Sequence, residues 1–261
     1  MMKEIKSETK LILRFILGVL KTPFVLVLAL FGKRSFKEVL LPIVELYEGI
    51  IEPRFTFGIC VFLIFSFIVS LFLDSSVIDM LVLYPTDFLG AGAYSLITHG
   101  FLHAGLGHLF SNLLMIYVFG RLVETELGPQ KTMSIYFFGL VFAALFSSVV
   151  NIMQGVSVGA VGASGAAMAL VGAGLLFRPL SISYVALIPL PVFVIGWLAI
   201  ISDVTGILNA SQDGIGYFAH LGGFISAFIM LLILKEREQL FKGLLINGAL
   251  GVLFLVVLYL I

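Results

Sequence analysis

A chain of 261 residues that is 61% hydrophobic and only 11% charged is not an ordinary soluble domain, where about a quarter of the residues carry charge; a mean hydropathy of +1.17 makes lipid the solvent for most of it. The net charge is zero, and no basic cluster interleaved with aromatics marks a nucleic-acid surface. Cys60 is the single cysteine, so no internal disulfide is expected, and nothing near the basic N-terminus has the small-residue cleavage site of a signal peptide.

A spanning helix needs about 20 mostly apolar residues. Residues 1–54 contain an apolar stretch at 11–31 that also carries Arg14, Lys21 and Pro23. It is expected as amphipathic helices lying on the membrane surface, with an extra span or a hairpin as the alternative. Residues 55–73 are uncharged and give a first span. Residues 88–120 lack Asp, Glu, Lys and Arg and exceed one span. Their second half, 106–120, reads as a helix. The first half, with Pro85, Gly90, Gly92 and Gly100 in or near it, reads as a loop lodged in the outer leaflet, tolerated only where protein covers it. Residues 132–177 hold two spans divided by the polar, glycine-rich break at 151–159. Residues 179–202, 217–234 and 243–261 supply the fifth, sixth and seventh.

Nine of the 15 Lys and Arg residues fall in residues 1–54; the rest are Arg121, Lys131, Arg178, Lys235, Arg237 and Lys242. With seven spans all of them lie on one side. The opposite loops, 74–98, 151–162 and 203–216, carry none, only acids such as Asp74, Asp79, Asp87 and Asp213. The positive-inside rule then puts the N-terminus in the cytoplasm and the C-terminus outside.

Polar side chains inside a membrane are costly and mark function by default. Three of them share a depth. His108 lies 13 residues before Arg121, Ser164 14 before Arg178, and His220 15 before Lys235, each pair on an inward-running span. At about 1.5 Å per residue, all three sit roughly 20 Å above the inner interface. In a core about 30 Å thick, that is about 10 Å below the outer surface.

Ser164 stands in Gly162-Ala163-Ser164-Gly165. Ala166 replaces the last glycine of a Gly-x-Ser-x-Gly elbow and no strand precedes it. The serine instead opens a helix, whose unpaired N–H groups suit an oxyanion. Taken alone it reads first as a small residue placed for close helix packing. Gly165, Ala169 and Ala173 on the fourth span and Ala219, Gly223 and Ala227 on the sixth form two small-residue stripes. They let two backbones approach, with Ser164 and His220 beside the outer end of each. A histidine there can take the serine proton and return it to a leaving amine. No acid lies at this depth near His220 except Asp203, placed at a helix end, so the expected unit is a dyad. His108 and Asn112, one turn apart, are donors of the kind an oxyanion hole uses, or helix-to-helix hydrogen-bonding groups.

His103-x4-His108-x3-Asn112, Gly162-Ala163-Ser164-Gly165 and Ala219-His220-Leu221-Gly222-Gly223 resemble, in order and on the second, fourth and sixth spans, the three signatures of the rhomboid intramembrane serine proteases. Glu124-x3-Gly128 is also similar to the family. The resemblance covers about residues 55–234. It implies an all-α polytopic membrane protein, a rhomboid-like six-helix bundle plus a C-terminal seventh transmembrane helix. Residues 1–54 form the cytoplasmic or interfacial segment, 55–234 the catalytic core, and 235–261 a loop and the seventh helix.

By the same resemblance Ser164 and His220 are catalytic. His108, Asn112 and the Ser164 N–H make the oxyanion hole, Gly162, Gly165, His103 and Gly223 support the site, and His99 with His103 supports the loop before the second span. The implied partners are the lipid bilayer and transmembrane protein substrates that enter laterally and are cut near small, helix-weakening residues. No cofactor, metal or nucleic acid is implied. The implied location is the cell (plasma) membrane, with a water-accessible active site toward the outer face. Two positions depart from the pattern. Met168 stands where members often carry an aromatic stacked on the catalytic histidine, and Tyr94-Ser95 where a Trp-Arg pair is common. The rivals are an inactive rhomboid relative that escorts membrane proteins, and a metal transporter using His99, His103 and His108. The transporter lacks an accompanying intramembrane carboxylate, and no His-Glu-x-x-His zinc motif occurs.

Overall fold

The computed structural model describes residues 8–185, 188–209 and 214–260; Asp213 and the first seven residues of the N-terminal segment lie outside the described residues. The chain is mostly helical. Helices α1 (Glu8–Leu30) and α2 (Lys37–Ile51) come first, then α3 (Arg54–Ser70), α4 (Ser75–Leu81), α5 (Ser95–Thr98), α6 (Leu106–Leu127), α7 (Pro129–Met153) and α8 (Ser164–Phe177). A small hairpin, β1 (Ile182–Val185) and β2 (Ile188–Pro191), precedes α9 (Val192–Leu208), α10 (Tyr217–Ile233) and α11 (Arg237–Leu260). Leu11–Leu30, Leu106–Leu127 and Pro129–Met153 are long and apolar enough to cross a membrane, with a fourth span if α2 and α3, bent by 84°, count as one. Ser164–Phe177, Val192–Leu208 and Tyr217–Ile233 are apolar but shorter.

The N-terminal segment is a helical hairpin. Positions equivalent to a Cβ on Gly18 and Gly49 meet Pro42 and Leu11 respectively, so α1 and α2 run antiparallel in contact. Gly32, with φ of +69°, makes the turn between them, a conformation that glycine adopts without strain. The hairpin is tied to α6. The Arg121 guanidinium donates to the Gly49 carbonyl at 2.9 Å, and the Tyr117 hydroxyl to the Ile50 carbonyl at 3.2 Å. Glu124, one turn further along α6, accepts from the Phe55 and Thr56 N–H groups and the Thr56 hydroxyl at 2.8–3.0 Å. It thereby pairs the open N–H groups at the start of α3, which carries no cap of its own.

The core lies among α3, α6, α7, α8 and α10. Ile116, Phe119, Tyr136, Leu140, Leu170 and Leu231 are fully buried. Every residue of α8 from Gly165 to Leu176 is buried, as an all-apolar helix at the centre of a bundle must be. At 14 residues it is about 21 Å long, short of the hydrocarbon thickness of about 30 Å. A helix of that length cannot reach both membrane surfaces.

The expected fifth span at 179–202 is shifted. Its first half holds the β-hairpin, in antiparallel register from Ile182 with Pro191 to Val185 with Ile188. Pro179, Pro189 and Pro191 disfavour helix and hold the residues before them extended, and the β-branched Ile182, Val185 and Ile188 suit a strand. The helix instead starts at Val192 and continues to Leu208, which draws Asp203 into its fourth turn. The expected outer loop is a string of short turns and helices over residues 75–101. It is anchored to the chain before α8 by paired backbone hydrogen bonds between Leu83 and Ala160, at 3.1 and 2.8 Å.

Helix α11 packs on α8 through backbone contact. A Cβ on Gly243 would collide with the Leu176 carbonyl. One turn on, the Asn247 side chain donates to the Leu175 carbonyl at 2.8 Å and accepts from the Trp197 indole N–H at 3.0 Å. Asn247 thus clamps α8, α9 and α11. Asn247→Leu is expected to lower stability by about 1–3 kcal/mol, because the indole N–H loses its acceptor in an apolar setting. A lowered Tm in detergent checks it.

Candidate active site

Gly162 organises the loop that presents Ser164. Its φ is +119°, a region costly for residues with a Cβ. Its N–H donates to the His99 carbonyl at 2.9 Å, which binds the outer loop to the serine loop. A side chain here would also be obstructed: a Cβ would lie 2.6 Å from His108 Cε1, 2.7 Å from His108 Nε2 and 3.5 Å from Asn112 Nδ2. His108 and Asn112 on α6 therefore press against the residue two before Ser164. His108 Nδ1 accepts from the Ala104 N–H at 3.4 Å, while Nε2 faces Gly162. Asn112 is buried, and its Nδ2 finds no hydrogen-bond partner among the described residues. Ser164 opens α8, so the N–H groups of its first turn have no intrahelical acceptor.

The far side of Ser164 is α10. A Cβ on Gly223 would strike the Gly165 carbonyl, and one on Gly165 would sit 3.7 Å from the Ala219 carbonyl. Ser164 and His220 are each the immediate neighbour of a residue in this crossing. The small-residue stripes meet as expected at Gly165, Ala219 and Gly223. Further down they differ. Ala169 packs against Gly139 of α7, and the residue opposite Ala227 is Gly172.

Asp203 is the group that sequence reasoning undervalued. Its Oδ1 lies 2.9 Å from His220 Nδ1, with the two side chains 12% and 18% exposed. The hydropathy pattern puts the acid at a helix end; the shifted α9 makes it an interior position. The signal was present in the prolines at 179, 189 and 191, which displace the helix toward Leu208.

The remaining histidines line one edge of the site. The His99 ring donates from Nδ1 to the Ser95 carbonyl at 2.7 Å, a local brace for the outer loop. His103 meets His108 edge to face, with ring centroids 5.2 Å apart. Both His103 nitrogens lack a partner among the described residues. Met168, where an aromatic was the more familiar residue, is buried and lines a small cavity together with Asp203. Ser95, in the Tyr94-Ser95 pair, donates to Asp87 at 3.2 Å. Aspartate, serine and backbone therefore anchor this part of the loop.

The model of the rhomboid domain family matches residues 90–237. Among curated proteins, the chain is similar to three from Arabidopsis thaliana. RHOMBOID-like protein 1 is 34% identical over 151 residues, 56% of this chain and 36% of that protein. RHOMBOID-like protein 12, mitochondrial, is 28% identical over 158 residues, 55% of this chain and 47% of that one. Rhomboid-like protein 11, chloroplastic, is 46% identical over 70 residues, 27% of this chain and 25% of that one. The chain matches less than half the length of each of these relatives. The matched family domain takes in the outer-loop histidines, the Ser164 loop and His220, and it covers more than half of the chain: this protein belongs to the rhomboid family.

Proposed function

We propose that this protein is an intramembrane serine endopeptidase that hydrolyses peptide bonds in or near the transmembrane segments of other membrane proteins. The observation that carries the reading is the convergence at Gly162: a serine at a helix N-terminus, and from α6 a buried asparagine amide with no partner among the described residues and a histidine nitrogen, both pressed against the loop that presents the serine. Ser164 Oγ attacks the scissile carbonyl carbon while His220 takes its proton. The resulting oxyanion is held by the Ser164 N–H, the Asn112 amide and His108. His220 then returns the proton to the leaving amine, and water repeats the sequence on the acyl-serine. The chemistry requires Ser164 and His220 as reacting groups, His108 and Asn112 as oxyanion donors, and Gly162, Gly165, His103 and Gly223 as supports. A six-helix core over 55–234 with α11 as a seventh helix, the N-terminus in the cytoplasm and the site toward the outside of the cell membrane, accommodates this reading. The hairpin of α1 and α2 then lies on the cytoplasmic side.

The experiment is reconstitution in liposomes with a panel of transmembrane substrates. Wild type should cut and react with a fluorophosphonate at Ser164, and both should persist with a chelator. Cleavage by Ser164→Ala, or its loss with the chelator, would overturn the serine mechanism; substrate binding with neither labelling nor cleavage would indicate an escort protein instead. Asn112→Ala is expected to lower cleavage by about 10²–10³-fold with little change in KM, as measured for single oxyanion donors elsewhere.

A further inference from the structure

The carboxylate of Asp203 is an unusual group to find where it is. It sits in the fourth turn of an otherwise apolar helix, 8% exposed. The small cavity it lines is otherwise walled by hydrocarbon, including Val204, Ile207, Leu221, Phe224 and Met168. Burying a carboxylate in such surroundings is expensive unless it is paired and hydrogen-bonded. Among the described residues that partner is His220, at 2.9 Å. Buried ion pairs of this kind add little net stability compared with apolar residues of the same size, so fold stability alone is a poor reason for the acid.

We propose that Asp203 is a positioning residue for His220, making the centre a Ser164–His220–Asp203 triad rather than a dyad. The inference rests on the reading of this site as a serine endopeptidase. Facing Asp203 Oδ1, Nδ1 of His220 carries the ring proton and donates it to the carboxylate. Nε2 is then the unprotonated nitrogen, and it is the one available to accept the Ser164 proton. When it does so, the ring becomes an imidazolium with the negative carboxylate already in place; the aspartate itself stays ionised throughout.

The packing supports a fixed pair. A Cβ on Gly206, one turn beyond Asp203, would fall on the ring of Tyr217, one turn before His220. The outer ends of α9 and α10 are thus in direct contact around the hydrogen bond. Met168, a flexible side chain that offers no flat surface to hold an imidazole, lines the same cavity as the acid. Here the ring is oriented by a charged hydrogen bond at its edge.

The isosteric change Asp203→Asn separates this role from packing. It keeps shape and hydrogen-bonding capacity but removes the charge and can present an N–H to Nδ1, favouring the wrong tautomer. Wild type, Asp203→Asn and Asp203→Ala are reconstituted with a transmembrane substrate. kcat, KM, the rate of fluorophosphonate labelling and Tm are measured for each. For Asp203→Asn the expectation is a fall in kcat of about 10²–10⁴-fold, the labelling rate falling with it, at near-constant KM and Tm. Asp203→Ala falls as far and loses Tm as well. Nitrogen NMR of labelled histidine should find His220 protonated on Nδ1 in wild type and redistributed in Asp203→Asn. Labelling of Asp203→Asn within about threefold of wild type, or losses in activity that merely track Tm, would overturn the positioning role while leaving the protease reading intact. A wild type that neither labels nor cleaves would overturn that reading, and this role with it.

Discussion

Ser164→Ala and His220→Ala should each lower the rate of substrate cleavage by about 10⁴–10⁶-fold, and the double variant should be no slower than either single one. The two side chains act in one event, the transfer of the serine proton as the carbonyl is attacked, so losing either loses all of it. What survives is whatever the oxyanion donors and substrate binding supply by themselves. The variants differ in stability. Ser164 begins a helix and forms no side-chain hydrogen bond among those described, so Ser164→Ala should keep the wild-type Tm. His220→Ala strands the Asp203 carboxylate, whose hydrogen bond at 2.9 Å it removes, so its Tm should fall. Steady-state cleavage in liposomes and Tm in detergent test both halves. If the double variant is slower by the product of the single effects, the two residues do not form a unit.

How far these features could be read from the sequence depended on what kind of signal encoded them. Helices α3, α7 and α10 fall within a few residues of the uncharged stretches that announced them, because exclusion of charge over nearly the whole of each helix, past Arg54 at the start of α3 and Lys131 in the first turn of α7, is a long, redundant signal. The small residues at 165, 219 and 223 were legible because close backbone approach restricts residue type, whereas Gly162 was marked only by the family resemblance. Hydropathy failed at residues 179–191, where the hairpin is as apolar as a helix. There the distinguishing information lay in three prolines rather than in hydrophobicity. The error carried further than the boundary. A helix ended at 202 leaves Asp203 in a loop, whereas a helix running to Leu208 buries it against His220. The contacts of Glu124 with α3 and of Arg121 with the Gly49 carbonyl join residues about 70 positions apart, and no local pattern encodes such pairings. The N-terminal segment shows the converse limit. Leu11–Leu30 is apolar enough to span, yet the same residues pack side by side with α2, a pairing set by Gly18 and Gly49 that composition does not register.

The second large effect comes from a residue that carries no reactive group. Gly223→Val should abolish measurable cleavage and lower Tm, while Gly58→Ala on α3, where an added Cβ meets nothing within 4 Å, should leave cleavage unchanged and hold or slightly raise Tm, since alanine favours a helix interior over glycine. The reason is the identity of the obstacle. A Cβ on Gly223 collides with the carbonyl oxygen and carbonyl carbon of Gly165, which are backbone, so no side chain can rotate away to make room. Gly165 in turn is held from behind, because a Cβ on it would lie 2.5 Å from the Ala143 side chain of α7. The helices α8 and α10 must therefore separate. Overpacking of this sort costs about 1–3 kcal/mol in soluble cores. The chemical cost is larger, since Gly165 adjoins Ser164 and Gly223 lies one turn from His220. A displacement of about 1 Å between reacting groups can cost about 10²-fold in rate, and a valine forces more than that. Gly223→Ala should fall between, with Tm lowered less and residual cleavage detectable. Gly223→Val with wild-type kcat would mean that the α8–α10 crossing does not set the distance between Ser164 and His220.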